Sequence, residues 1–187
     1  MVNMAMHMMD IAQNSIRSGA NNILIEFNEI SKEEMLIFII KDDGEGIAEE
    51  EISKLVDPFY TTRTTRRVGL GIPFLKMTCE QTGGFLEISS KINRGTLIKA
   101  HYMTNNPDCL PLGDIAGYLT MLLVANPAIR FIFTYRIDSM QFTLDTDELT
   151  QSGINLQEQG MSSFFKSYIN DNLSDVYSNR FNNSYIC

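Results

Sequence analysis

Positive charge is scarce in this chain. Lysine and arginine together number 15 against 23 aspartates and glutamates, a formal net charge of -8 over 187 residues. Such a balance repels a phosphate backbone, whose binding depends on clustered basic side chains, so nucleic acid is excluded as the main partner. Cysteine is equally sparse: Cys79, Cys109 and Cys187 are odd in number, far apart and without a CxxC pair. Neither a disulfide framework nor a zinc site follows, and free thiols are expected. Long apolar runs are missing too, none approaching the roughly 20 residues of a membrane span. Met1 to Met9 is methionine-rich but has no basic leader and no small-residue cleavage site, so it does not read as a secretory signal. A soluble, cytoplasmic protein without membrane insertion is expected. What remains, 44% hydrophobic and 20% charged residues, is an ordinary globular composition. The length suffices for one domain with a true core and a small annex.

The most informative stretch is KDDGEGI, Lys41 to Ile47, which follows the apolar run Met35 to Ile40 and reads as a strand entering a glycine turn. Gly44 and Gly46 can adopt backbone angles closed to other residues, folding the chain over Asp42 and letting a flat ligand lie close to the main chain. A carboxylate in that position can accept a hydrogen bond from an exocyclic amine such as that of adenine. Taken alone, the same letters also fit a tight acidic turn at the surface.

Upstream, Asn3 to Ser18 is predicted as a helix. Asn3, His7, Asp10, Asn14 and Arg17 recur every three or four residues and form one polar stripe. Met4, Met8 and Ile11 border it on one side, and Ala5, Met9, Ala12 and Ile16 on the other. A polar line with apolar rows on both borders suits a helix facing an internal pocket better than a solvent face. Gly19 is placed as the helix cap, and Asn22 to Phe27 alternates as a strand. A polar turn from Asn28 to Glu34 leads to the central strand. Glu49 to Val56 reads as a short helix stopped by Pro58.

Asp57 to Arg67, DPFYTTRTTRR, has neither period and is a loop that gathers Arg63, Arg66 and Arg67. Val68 to Ile72, VGLGI, then opens a helix from about Leu70 to Gln81 with Pro73 in its first turn. Glycines at a helix start leave backbone N–H groups open where the helix dipole is positive, an arrangement suited to phosphate, although an ordinary glycine-started helix has the same letters. Phe85 to Ser90 and Thr96 to Met103 form a hairpin around NRG. Asn105 to Pro111 reads as a linker. A helix from about Gly113 to Ala125, a hairpin of Ile129 to Tyr135 and Met140 to Leu144, and a final helix follow. The final helix is amphipathic and places Met161, Phe164, Phe165, Tyr168, Ile169, Leu173 and Val176 on one face, which could pack on the rest of the chain or dock a partner. The last residues, SNRFNNSYIC, are expected to fray.

The order of these stretches resembles the ATP-binding domain shared by gyrase, heat-shock chaperones of the Bergerat fold, sensor histidine kinases and MutL, known as the GHKL family. The resemblance covers about Met4 to Tyr102. DIAQN matches the family's helix, in which a general-base carboxylate precedes a metal-binding asparagine by four residues, at Asp10 and Asn14. DIAQNSIRSGANNI is similar in rhythm to the MutL helix. The family's DxGxG is matched by Asp42, Gly44 and Gly46, and its later glycine box by Gly69, Leu70 and Gly71. PFYTT, the GG before a strand, and the GT of Gly95 and Thr96 are similar to histidine kinases.

The resemblance implies ATP and Mg²⁺ as cofactors. Asn14 would bind Mg²⁺ through its side-chain oxygen, Asp42 would hold the adenine amine with Thr96 nearby, and the amides of Gly69 to Gly71 would cradle phosphates. Arg17 matches a basic position near the phosphates, and one of Arg63, Arg66 and Arg67 would close from the lid. Two departures matter. The base position holds aspartate where glutamate is usual, shorter by roughly 1.5 Å, and a displacement of about 1 Å can cost on the order of a hundredfold in rate. The lid, between Phe59 and Gly69, is also short. With the asparagine helix starting at Asn3, no dimerisation hairpin bearing a phosphoacceptor histidine is expected before it, which argues against a complete sensor kinase. His7 and His101 are the only histidines, and His7 is expected to be structural or pocket-lining.

The fold expected is α/β: a two-layer Bergerat-type sandwich, a mixed sheet with helices on one face, with a small C-terminal α/β annex. Residues 1–104 would be the ATP-binding domain, 105–112 a linker, 113–177 the annex and 178–187 a tail. The function implied is that of a stand-alone Mg-ATP-binding kinase or ATPase acting on a separate protein, as anti-sigma-factor kinases of the family do. A nucleotide-binding switch with little turnover is the alternative. A DNA-linked ATPase similar to MutL is disfavoured by the acidic charge. A protein partner or substrate is expected, and a homodimer is compatible with the sequence.

Overall fold

The computed structural model of the chain describes residues 3–57, 70–155, 157–178 and 180. Helix α1 (Met4–Arg17) begins where Asn3 accepts the N–H of Met6 at 2.9 Å, satisfying one of the four donors that a helix start leaves open. The N–H groups of Met4 and Ala5 donate to the carbonyls of Pro111 and Leu112, both at 2.9 Å. The stretch between the two expected units is therefore bonded to the start of α1. At the other end Gly19 takes φ +72°, open to glycine, and the helix stops there.

Strands β1 (Asn22–Ile30) and β2 (Met35–Asp42) run antiparallel, with Ile25 opposite Ile40 and Phe27 opposite Phe38. After α2 (Glu49–Ile52), a tight single turn covers Ser53–Val56. Helix α3 (Gly71–Gln81) leads to the hairpin of β3 (Phe85–Lys91) and β4 (Gly95–Met103). Helix α4 (Ile115–Ala125), capped by the Asp114 side chain, leads to β5 (Arg130–Ile137) and β6 (Met140–Asp145). Two helices close the described chain, α5 (Thr146–Gln151) and α6 (Met161–Tyr177). The six-residue α5 was not anticipated; it is too short for a period to show. Asp145 sets it, accepting the Asp147 N–H at 3.0 Å while its carboxylate takes a two-pronged pair from Arg130 at 3.1 and 2.6 Å. Residues 181–187, within the stretch expected to fray, lie outside the described residues.

The strands form one sheet in the order β3-β4-β2-β1-β5-β6, antiparallel throughout except where β5 lies parallel to β1. The C-terminal hairpin thus continues the sheet of the N-terminal segment along the free side of β1. Helix α1 packs on β1 and β2, α3 on β3 and β4, and α6 on β5 and β6, with α4 between α1 and α6. This is the expected two-layer α/β architecture, a mixed sheet with helices on one face.

The core follows from strand parity, because alternate side chains point to one face. Ile23, Ile25 and Phe27 of β1, Leu36, Phe38 and Ile40 of β2, and Phe131, Phe133 and Tyr135 of β5 are all buried. Phe27 stacks between Phe38 and Tyr135, with ring centroids 4.8 and 5.6 Å away. Such pairs add about 0.5–1.5 kcal/mol beyond the area they bury. Of the apolar face of α6, Phe165, Ile169, Leu173 and Val176 are buried, while Phe164 is 56% exposed and Tyr168 40%. The buried row steps by four, four and three residues, and Phe164 with Tyr168 forms the next row round the helix, at the margin of the sheet, where the Tyr168 ring meets Phe142 of β6 edge-on at 5.9 Å.

Candidate functional site

Asp42 occupies the same parity as Leu36, Phe38 and Ile40, so it ends an apolar row and points toward the helix layer, 8% exposed. There the Ser15 hydroxyl of α1 donates to Oδ2 at 2.7 Å. The N–H groups of Gly44 and Thr96 donate to Oδ1 at 3.0 and 3.1 Å. A carboxylate offers about four lone-pair sites. Three donors leave Oδ2 with capacity for one more.

The neighbouring Asp43 points the other way. Its Oδ1 accepts the N–H groups of Asn21 and Asn22, both at 2.8 Å, and Oδ2 accepts the Asn22 amide at 2.7 Å. Desolvation acts to raise its pKa, but the hydrogen bonds from Asn22 and Asn21 outweigh it and hold the carboxyl below its ordinary range. Asp43 thereby ties the start of β1 to the end of β2.

The glycine turn owes its glycines to the chain's own packing. A Cβ on Gly44 would sit 2.2 Å from the Ser18 hydroxyl oxygen and 2.8 Å from the Ser18 carbonyl. Gly46, at φ +68°, would place a Cβ 2.0 Å from the carbonyl oxygen of Lys91. The turn is wedged between the end of α1 and the β3–β4 turn, with the Glu45 N–H donating to Ser18 and the Asn93 N–H to Glu45, at 2.9 and 2.6 Å. Ser90 fastens the hairpin side: its hydroxyl accepts the Ile47 N–H at 2.9 Å and lies 2.9 Å from Thr96 Oγ1.

Farther along α1 lies a second cluster. A Cβ built on Gly71, the first residue of α3, would stand 1.8 Å from Asp10 Oδ2 and 3.8 Å from Asn14 Nδ2. The start of α3 therefore rests on the half-buried Asp10 and beside Asn14. Leu70 offers no side-chain cap and Pro73 has no N–H, so no side chain among the described residues caps the backbone donors at the start of α3. Arg17 Nη2 donates to Asn14 Oδ1 at 2.5 Å. Asp10 and Asn14 present hard oxygens of the kind Mg²⁺ takes, and no group of three or more His, Cys, Asp or Glu among the described residues could hold a metal by itself.

His7, on the same stripe, is fully buried. The Thr78 hydroxyl donates to the Phe74 carbonyl at 2.9 Å, which leaves its lone pairs for His7 Nε2–H at 3.2 Å and Tyr102 O–H at 3.0 Å. His7 Nδ1 has no hydrogen-bond partner among the described residues. Burial lowers the His7 pKa to about 4 and raises that of Tyr102, so His7 is a neutral core group joining α1, α3 and β4.

Of the residues singled out from sequence, one group comprises Asp42, Gly44, Gly46 and Thr96, and a second Asp10, Asn14, Arg17, Leu70 and Gly71. Arg63, Arg66, Arg67 and Gly69 lie outside the described residues. Ser15, Asp43 and Ser90 were not anticipated. Ser15 carried one readable signal, a hydroxyl inside a helix among Ile11, Ala12 and Ile16, where it must find a partner when buried.

Comparison with known proteins gives the family and the fold. Residues 5–105 match the family model described as histidine kinase-, DNA gyrase B-, and HSP90-like ATPase. The sensor kinase CckA of Brucella abortus (strain 2308) is 27% identical over 142 residues, covering 67% of this chain and 15% of that protein. The sensor protein SrrB of Staphylococcus aureus (strain NCTC 8325 / PS 47) is 34% identical over 95 residues, 48% of this chain and 16% of that protein. The chain thus spans less than a fifth of the length of either relative. Among solved structures, the Aquifex aeolicus MutL ATPase domain complexed with ADP superposes with a TM-score of 0.51 at 14% identity, covering 90% of this chain and 70% of that one. The N-terminal domain of a DNA repair protein gives 0.57 at 16% identity, over 78% and 53%. These structural likenesses speak for the fold. No helix among the described residues is long and apolar enough to cross a membrane. With its residues 5–105 matched and the ordered motifs gathered on one side of α1, the chain belongs to the histidine kinase-, DNA gyrase B-, and HSP90-like ATPase family.

Proposed function

We propose that this chain binds ATP and acts in the cytoplasm as a regulatory kinase or ATPase on a separate protein. The observation that carries the nucleotide reading is Asp42, a nearly buried carboxylate held by Ser15, Gly44 and Thr96 with one acceptor site left. That vacancy suits the exocyclic amine of adenine, and guanine, which has a carbonyl in that place, would be rejected. The triphosphate would extend along α1 to the amides of Leu70 and Gly71, with Gly69 completing the loop. Arg63 would approach from the lid, and Arg17 from the end of α1.

Asn14 would hold Mg²⁺, which, when bound, would offset phosphate charge. Asp10, at the Gly71 end, would orient or deprotonate the nucleophile. The MutL domain that carries ADP has this fold, and the relatives named above are sensor kinases, which supports the reading.

A second reading, a nucleotide switch with little turnover, is favoured by one feature. Asp10 is short, and its Oδ2 is pressed against the backbone of Gly71. In that reading ATP or ADP would order the lid and change how the C-terminal segment meets a partner or a second copy.

Calorimetric titration of ATP, ADP and GTP into wild type and Asp42→Asn, followed by phosphate release and transfer to added protein, separates these. The nucleotide reading expects adenine nucleotides to bind and Asp42→Asn to weaken them by about tenfold or more. Turnover removed by Asp10→Ala supports the enzyme, and tight binding without turnover supports the switch. No binding by wild type sinks both.

A further inference from the structure

The side chain that the family pattern assigns to the metal already has a cation on its oxygen. Arg17 Nη2 lies 2.5 Å from Asn14 Oδ1, at the short end for a charge-assisted bond. The other half of the amide, Nδ2, is the atom of Asn14 nearest the start of α3, 3.8 Å from the position of a Cβ on Gly71. Asn14 therefore turns a donor, not an acceptor, toward the helix start that would receive phosphate. Asp10 Oδ2 borders the same point and would repel an incoming phosphate, so positive charge is needed there. A guanidinium presents five donors in one plane and can hold an amide oxygen and a phosphate oxygen together. As the last residue of α1, Arg17 also sits where the helix dipole favours a cation.

We infer that Arg17 and a divalent cation are alternative occupants of Asn14 Oδ1, so that the site takes adenine nucleotide with Arg17 standing in place of the metal. Both are positive and would crowd onto one oxygen, so the cation enters only when Arg17 leaves and the amide turns. The inference rests on the nucleotide reading above. Its consequence is that binding does not depend on Mg²⁺, which becomes a modulator of what is bound.

The test is calorimetry with ADP in EDTA and in excess Mg²⁺, on wild type and Arg17→Met. Wild type is expected to bind ADP with affinities within about twofold in the two conditions. Arg17→Met is expected to lose about tenfold in EDTA, the worth of one charge-assisted hydrogen bond, and to recover in Mg²⁺. Recovery also proves that the variant is folded. Electron paramagnetic resonance of Mn²⁺ added to the ADP complexes should show tighter metal binding by Arg17→Met, persisting at high salt where long-range repulsion is screened. Wild type that binds ADP only with Mg²⁺ overturns the inference and leaves the nucleotide reading standing. So does Arg17→Met that behaves as wild type in EDTA. Failure of wild type to bind ADP in either condition overturns both.

Discussion

The hydroxyl of Ser15 donates to Asp42 Oδ2 at 2.7 Å, joining the middle of α1 to the end of β2 across 27 residues of chain. Through this bond the helix that carries Asp10 and Asn14 is registered against the strand that carries Asp42. Ser15→Ala leaves the shape almost unchanged but strips a buried carboxylate of a donor. A loss of about 1–3 kcal/mol is expected, read from urea midpoints. ADP affinity in the same variant should fall, because Asp42 loses the contact that orients it. Unchanged stability and binding would mean that the bond is incidental.

Gly71→Ala tests the contact between α3 and Asp10. The added methyl meets the far end of a short side chain, which can swing aside, and alanine favours helix by about 1 kcal/mol over glycine. Thermal stability should therefore hold or rise slightly while the affinity for ATP falls. The double variant Gly71→Ala, Asp10→Ala should recover part of that affinity if displacement of the carboxylate is the cause.

Acid should act through His7. Its folded pKa of about 4 lies below the ordinary 6.5, so between those values the unfolded chain binds the extra proton. Stability is then fully present above pH 6.5 and falls as the pH drops toward 4, by on the order of 3 kcal/mol from this group. His7→Gln, whose amide can still donate to Thr78, should flatten that part of the profile. Denaturation midpoints at pH 7 and pH 4.5 compare the two, and equal slopes would exclude His7 as the source.

At the other end of β1 a buried pair fixes the end of the described chain. Glu29 accepts from Tyr135, from Arg180 Nη2 at 2.5 Å and from Arg180 Nε at 3.0 Å, and the guanidinium lies 4.5 Å from the centre of the Tyr177 ring. Arg180→Met would leave Glu29 buried without a countercharge, at a cost of about 3 kcal/mol. Adding Glu29→Gln should return part of the loss, a coupling that a double-mutant cycle measures. Additive losses would show that the pair does not act as a unit.

Much of the fold was legible because periodicity alone exposes it. The stripe of α1 and the apolar run before Asp42 needed only spacing, and the glycine turns only the angles that glycine allows. Less was legible beyond Gly113. The β5–β6 hairpin could be read, but its pairing partner could not, since an alternating strand is satisfied by any matching edge; the parallel register with β1 is a long-range choice. How much of the α6 face is buried was not legible, because spacing ranks apolar residues without saying how far the neighbouring layer reaches. The internal role of Gly44 and Gly46 was also hidden: a glycine signals that room is needed but not whether a ligand or the chain's own Ser18 and Lys91 fills it.

The sequence by itself determined which residues stand out as candidates, because the stripe of Asp10 and Asn14 and the glycine turn after Asp42 are local patterns of spacing, to which the family resemblance attaches roles. Tertiary structure alone decided what each of them touches. Ser15 reaches Asp42, Arg17 claims Asn14 Oδ1 and Asp10 lies on Gly71 only once α1 is packed over β2 and against α3. Hydrogen bonds of that kind depend on separations of a few tenths of an ångström between segments far apart in the chain, and no local period encodes them.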